Sequence, residues 1–267
     1  MDILQAILIA LVEGLTEYLP ISSTAHMVFT SSLFNIQEDE FVKMFQVSIQ
    51  FGAILAVVFL YWRKFFDFSR FNFYLKLGFA VIPALVLGYL FDDYIEAVLE
   101  KPLPIAFVLI AGGVVLLFAD RWFTQPAVHS EENISIPKAV RIGFWQCIAM
   151  MPGVSRAAAS IIGGMQQGLS REVAAEFSFF LAVPTMLAVT VYSVFVKTWE
   201  GGQKGFEMIF ADKQHIMLFG IGNAVAFVVA VLAIKLFIGL IKRFGFRPWG
   251  WYRIVVGLAL MVLFWNK

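Results

Sequence analysis

EGLTEYLPISSTAH, from Glu13 to His26, and MPGVSRAAAS, from Met151 to Ser160, are two polar stretches broken by proline in a chain that otherwise reads as membrane. An ionisable side chain inside hydrocarbon costs roughly 2.5 to 3.5 kcal/mol on insertion scales, so such residues mark sites by default. Around them the 267 residues are 60% hydrophobic and 15% charged, with a mean hydropathy of +0.82. So few charges are rare in a soluble domain of this length. Apolar runs at 42–62, 74–91, 103–119, 175–196, 215–238 and 250–265 approach the roughly 20 residues that cross a bilayer, predicting six spans. Residues 1–12 are apolar too, but they lack the basic flank and cleavage site of a signal peptide and run into Glu13 and Glu17, so they are expected to remain in the mature chain. Cys147 is the sole cysteine, which excludes an internal disulfide or a multi-cysteine metal site.

Pro20 and Pro152, Ser23 and Ser155, and the LAV triplets at Leu55 and Leu187 all stand 132 residues apart. This spacing predicts one integral membrane domain, 1–267, holding an internal repeat of 1–122 and 137–267. Each half reads as a hairpin broken at its proline, followed by three spans. Copies separated by an odd number of crossings take opposite orientations, so the predicted fold is all-α, with six transmembrane spans and two re-entrant broken-helix hairpins in an inverted-topology repeat. Irregular backbone at membrane depth is tolerated only where protein buries it or where it lines a wet cavity, so each hairpin needs the other.

Arg63, Lys64, Arg70 and Lys76 crowd one connection, Arg121, Lys138 and Arg141 the central linker, and Lys242, Arg243 and Arg247 a third. The positive-inside rule makes these sides cytoplasmic. Glu38, Asp39 and Glu40, with Asp92, Asp93, Glu96 and Glu100, then fall outside. The first hairpin is expected to enter from outside, the second from inside, and both termini to lie outside.

Glu13 and Glu17 are four apart, so on a helix their carboxylates share a face. In a medium of low dielectric such a pair must share a proton, meet a basic partner or bind a cation. Ser22, Ser23 and Thr24 follow the proline, where hydroxyl side chains cap helices and free amides receive anions. His26, one turn beyond Ser23, is placed to deprotonate its hydroxyl or to attack an electrophile itself. In the second stretch, Ser155 and Arg156 stand at a helix start, a setting for phosphate reinforced by a permanently charged bidentate fork. An ion pair with a glutamate is the alternative partner for Arg156. Gln50, near the middle of the first span, is a candidate substrate contact or a helix-to-helix bond.

Taken together, EGLTEYLPISSTAH, PGVSR, EFSFFLAVP and IKLFIGLIKR resemble the undecaprenyl-diphosphatase family of the bacitracin-resistance type, and the resemblance runs nearly end to end. It implies a multi-pass enzyme of the bacterial inner (plasma) membrane. Such an enzyme removes one phosphate from the C55 prenyl diphosphate carrier, recycles that carrier for cell-wall synthesis and confers bacitracin resistance. The resemblance also implies dependence on a divalent cation, Mg2+ or Ca2+, and a site facing the periplasm or exterior. Glu13, Glu17, Ser23, His26 and Arg156 match functional positions, with Ser22, Thr24 and Ser155 as neighbours. The pattern departs at Ala25, where glycine is usual, and from the usual PGxSRSGxT at Ala157, Ala158 and Ser160, where Ala157 replaces a serine that could have bound phosphate.

The expected roles are a divalent cation held, or the base tuned, by Glu13 and Glu17, and a diphosphate clamp from Arg156 and helix-start amides, with attack by Ser23, His26 or water. The expected partners are the polyprenyl diphosphate and membrane lipids, with no nucleic acid. The oligomeric state is open, a homodimer included. The competing reading is a transporter or flippase for an anionic prenyl lipid or small anion, because inverted repeats are transporter architecture.

Overall fold

A computed structural model describes residues 1–91 and 102–265. The acidic stretch with Asp92, Asp93, Glu96 and Glu100 lies outside the described residues. The described chain is all-α, with two isolated bridges and no sheet. Its helices are α1 (Ile3–Thr16), α2 (Ser23–Leu33), α3 (Glu40–Ser48), α4 (Gln50–Leu60), α5 (Trp62–Phe65), α6 (Phe71–Leu90) and α7 (Pro102–Trp122). After the central linker come α8 (Ile136–Cys147), α9 (Arg156–Gln166), α10 (Arg171–Val191), α11 (Gly205–Ile209), α12 (Lys213–Phe244) and α13 (Arg247–Phe264).

Among the described residues five segments are long and apolar enough to cross a membrane: α3 with α4, α6, α7, α10 with the π-turn that extends it to Val196, and α12. The sixth expected span, 250–265, folds as α13, an 18-residue helix with Arg253 in its first half that packs along α7. Outward faces of these helices are apolar: Phe107, Val114, Leu232, Leu236, Val255 and Val262 are all exposed. In water that surface would be costly; in lipid it is the solvated face.

Helices α1/α2 and α8/α9 are shorter and fold back before crossing. Asp2 starts α1 with a capping box to Gln5. The helix ends at Thr16, four residues before Pro20, whose ring cannot continue it. Helix α1 packs on α12, and α8 packs on α6. Each crossing depends on a glycine: a Cβ on Gly14 would lie 2.7 Å from the Ala226 carbonyl oxygen, and one on Gly143 would overlap that of Ala80.

The hairpins enter from opposite ends of the bundle. Near the start of α1, Gln214 at the head of α12 donates to the Met1 carbonyl. At the other end, beside the loops rich in Arg and Lys, Arg141 of α8 meets Gln167 just beyond α9. The tips meet in the interior, where the Ser155 hydroxyl reaches the Leu19 carbonyl oxygen at 3.4 Å.

Both returning helices start alike. Ser22 (φ 70°) and Ser155 (φ 74°) occupy the left-handed region, and each caps its own helix by accepting the amide three residues on. This cap geometry pairs Ser22 with Ser155, 133 apart, one position off the alignment of Ser23 with Ser155. Ser23 and Arg156 therefore hold equivalent first positions in α2 and α9, and Gln146 corresponds to Glu13.

Candidate active site

The two breaks open into one cavity of about 1020 Å³ lined by Glu17, Ser22, Ser23, Thr24, Ser155 and Arg156, with Gln50 from the head of α4. Its walls run past Met27, Gln46 and Tyr192 to Glu38 and Trp199, so it opens at the end of the bundle where the chain begins. That end lies opposite Lys242, Arg243 and Arg247, at the junction of α12 and α13.

Glu17 caps the C-terminus of α1 in helical geometry, its amide bonded to the Glu13 carbonyl, so both carboxylates lie on one helix face. One oxygen of Glu17 accepts the Ser23 hydroxyl. The other pairs with Arg156 Nη2 at 2.9 Å. Arg156 Nη1 donates to the Ser178 carbonyl at 2.9 Å, and the guanidinium lies over the Tyr18 ring. Ser178 and Ser160 join hydroxyls at 2.6 Å behind it. A carboxylate, a hydroxyl and a guanidinium are thus contiguous in one concave space.

Glu13 lies behind Glu17, fully buried and outside the cavity lining, and neither of its carboxylate oxygens has a hydrogen-bond partner. Two carboxylates facing one guanidinium leave one negative charge over when both are ionised. A proton or a cation must complete the balance. Among the described residues no group of three or more His, Cys, Asp or Glu converges. Were a hard divalent cation to complete the balance, the unpartnered Glu13 carboxylate and Glu17 would supply its one or two protein ligands, and water and phosphate oxygens the rest.

His26 is placed otherwise than its spacing predicted. Its Nδ1 lies 2.7 Å from the Ser22 carbonyl oxygen and its Nε2 2.9 Å from the Tyr252 hydroxyl, on which ring it also stacks. Glu17, not His26, receives the Ser23 hydroxyl. A spacing of one helical turn aligns Cα positions but leaves the direction of the ring to its neighbours, here α13. Ala157 is fully buried in apolar core and does not line the cavity, so the serine missing there does not cost this cavity a ligand.

Several residues at the site escape a reading of spacing alone. Gln146 of α8 bonds Thr185 at 3.1 Å, and both line the cavity. Tyr252 and Arg253 of α13 meet the hairpins from behind. Arg253 did carry a signal, a charged side chain inside an apolar run, which is the criterion that picks out Glu13 and Glu17.

Residues 6–259 match the family described as bacitracin resistance protein BacA. The chain is 50% identical over 264 residues to an undecaprenyl-diphosphatase of Flavobacterium johnsoniae, with 98% of this chain and 96% of that protein covered. It is 46% identical over 280 residues to that of Porphyromonas gingivalis (98% and 97% covered) and 37% over 266 residues to that of Campylobacter fetus (98% and 99%). The chain belongs to the BacA family.

Proposed function

We propose that this multi-pass membrane protein hydrolyses undecaprenyl diphosphate to undecaprenyl phosphate and inorganic phosphate, with the chemistry at Ser23, Glu17 and Arg156. The observation that carries the assignment is their contiguity: Ser23 donates to one oxygen of Glu17 while Arg156 pairs with the other, where two broken helices meet in one cavity. Phosphoryl transfer asks a protein chiefly for positioning and charge neutralisation, and this set provides a nucleophile, a base and a bidentate cation.

Arg156 exchanges part of its bonding to Glu17 for the diphosphate oxygens as substrate enters. Amides in the first turns of α2 and α9, where Ser22 and Ser155 set the chain direction, add donors. The Ser23 oxygen bonds to the terminal phosphorus as the bridging P–O bond breaks, and Glu17 takes the hydroxyl proton and passes it to the departing phosphate of the prenyl chain. Water then attacks the phosphoserine. Glu17 takes a proton from that water and returns it to the Ser23 oxygen as phosphate leaves. A divalent cation held by Glu13 and Glu17 would neutralise charge gathering on the phosphate oxygens. His26 holds the Ser22 carbonyl and so the start of α2.

Ala84, Leu85, Leu103 and Phe264 line an apolar part of the same cavity, fitting a prenyl chain that continues into lipid. The cavity opens away from the loops that gather Arg and Lys, which supports a bacterial plasma membrane site facing the periplasm or exterior. Phosphate release from undecaprenyl diphosphate by purified protein in detergent tests the assignment. Detergent has no two sides, so a protein that only moves its ligand across a membrane releases none.

A further inference from the structure

Arg253 is fully buried, and its guanidinium makes five hydrogen bonds, all to main-chain carbonyl oxygens. Nη1 donates to Pro20 at 3.1 Å and to Val154 at 2.8 Å, and Nη2 to Gly153 at 2.7 Å. Nε reaches Leu109 at 3.1 Å and Nη2 reaches Val108 at 3.5 Å, both on α7. Pro20 belongs to the first break, Gly153 and Val154 to the second. One side chain therefore spans both hairpins and ties them to the α7/α13 pair.

The sequence dictates why a cation stands there. A broken helix leaves carbonyls without partners, and in a low-dielectric interior each must be satisfied. Arginine offers five donors in a rigid planar fork, whereas lysine offers three from one point. Space is reserved for it: a Cβ on Gly112 of α7 would overlap the Arg253 guanidinium. The adjacent Tyr252 holds the His26 ring at 2.9 Å, so consecutive residues of α13 grip the first hairpin at two points.

We infer that Arg253 is a positioning residue that fixes Ser23 and Arg156 relative to each other. The carbonyls it holds lie three residues before Ser23 and two or three before Arg156. Both reacting groups are thus set by one fork that lies outside the cavity lining. A displacement of about 1 Å at such a distance from the chemistry costs about 100-fold in rate.

This inference rests on the proposed reaction for its kinetic readout but not for its structural one. Arg253→Lys and Gly112→Ala are compared with wild type in detergent by phosphate release and by amide hydrogen exchange over 17–24 and 150–158. Arg253→Lys is expected to lower kcat about 100-fold with KM little changed and to speed exchange in both segments together. Gly112→Ala should do the same in the wild type and add little in the Arg253→Lys background, since both act on one contact. Wild-type kcat in Arg253→Lys, or exchange unchanged or raised in one hairpin only, overturns the inference. Should one variant fail to give a monodisperse protein, the other carries the test. A wild-type protein that releases no phosphate refutes the reaction, while the exchange data still decide whether Arg253 joins the hairpins.

Discussion

Ser23 donates its hydroxyl to Glu17 across the break between α1 and α2, six residues apart in sequence and in direct contact in the fold. The contact exists because α1 stops at Thr16 and the chain reverses through Pro20 to Ser22, whose left-handed backbone starts α2 in a new direction. A hydroxyl whose proton is already aimed at a buried carboxylate is prepared for deprotonation.

Arg156→Lys should lower kcat/KM by at least about 100-fold although charge is kept, because an ammonium cannot bond Glu17 and the Ser178 carbonyl and still offer a fork to phosphate. Steady-state kinetics at saturating cation check this. Near-wild-type turnover would reduce Arg156 to a structural partner of Glu17.

The two glutamates should separate. Glu17→Gln removes the acceptor of the Ser23 proton and is expected to cost about 1000-fold, within the range of general-base loss. Glu13→Gln leaves Ser23 and Arg156 their partners and should chiefly raise the Mg2+ or Ca2+ concentration needed for half-maximal rate. Titration with cation after chelation measures both; unchanged cation dependence in the two variants rejects the metal role.

Ser155 should accept glycine better than alanine. Alanine loses the cap to the Ala158 amide, about 1 kcal/mol, and keeps the strain that serine already bears at φ 74°, whereas glycine loses a few tenths and is free of that strain. Thermal unfolding in one detergent ranks them, with Ser155→Ala expected to melt lowest. Equal melting of the two variants would show that backbone direction is set elsewhere.

In a Cys147→Ala background, single cysteines at Glu200 and Lys204 should label from outside intact cells and those at Lys242 and Arg247 only after permeabilisation. This follows from the charge asymmetry and from the cavity end of the bundle. The reverse pattern would put the cavity on the cytoplasmic side.

Much of this architecture is legible in the sequence because membrane folding is governed by two coarse rules, apolar length and intolerance of unpaired backbone. The apolar runs, the prolines and the buried acids follow from them. Side-chain direction does not. That His26 turns to Tyr252 and that Glu17 reaches Ser23 depend on how α13 and the break between α1 and α2 pack, contacts that join residues 226 and 6 apart. The register of the repeat differs by one for the same reason: the identical serines 23 and 155 align in sequence, whereas the caps are Ser22 and Ser155. Arg253 was readable as a buried charge, but its partners are carbonyls, which leave no mark in a sequence.

The central claim is attack by Ser23 with Glu17 as its base, and rapid quench tests it most directly. Purified protein is mixed in detergent with undecaprenyl diphosphate labelled in its terminal phosphate, stopped in acid and digested. The account predicts release of labelled phosphate by wild type, transient acid-stable label on the peptide bearing Ser23, and neither in Ser23→Ala. His26→Ala should still form the labelled serine, more slowly. Wild-type turnover by Ser23→Ala, acid-labile label on His26, or release with no labelled protein at any time would contradict it.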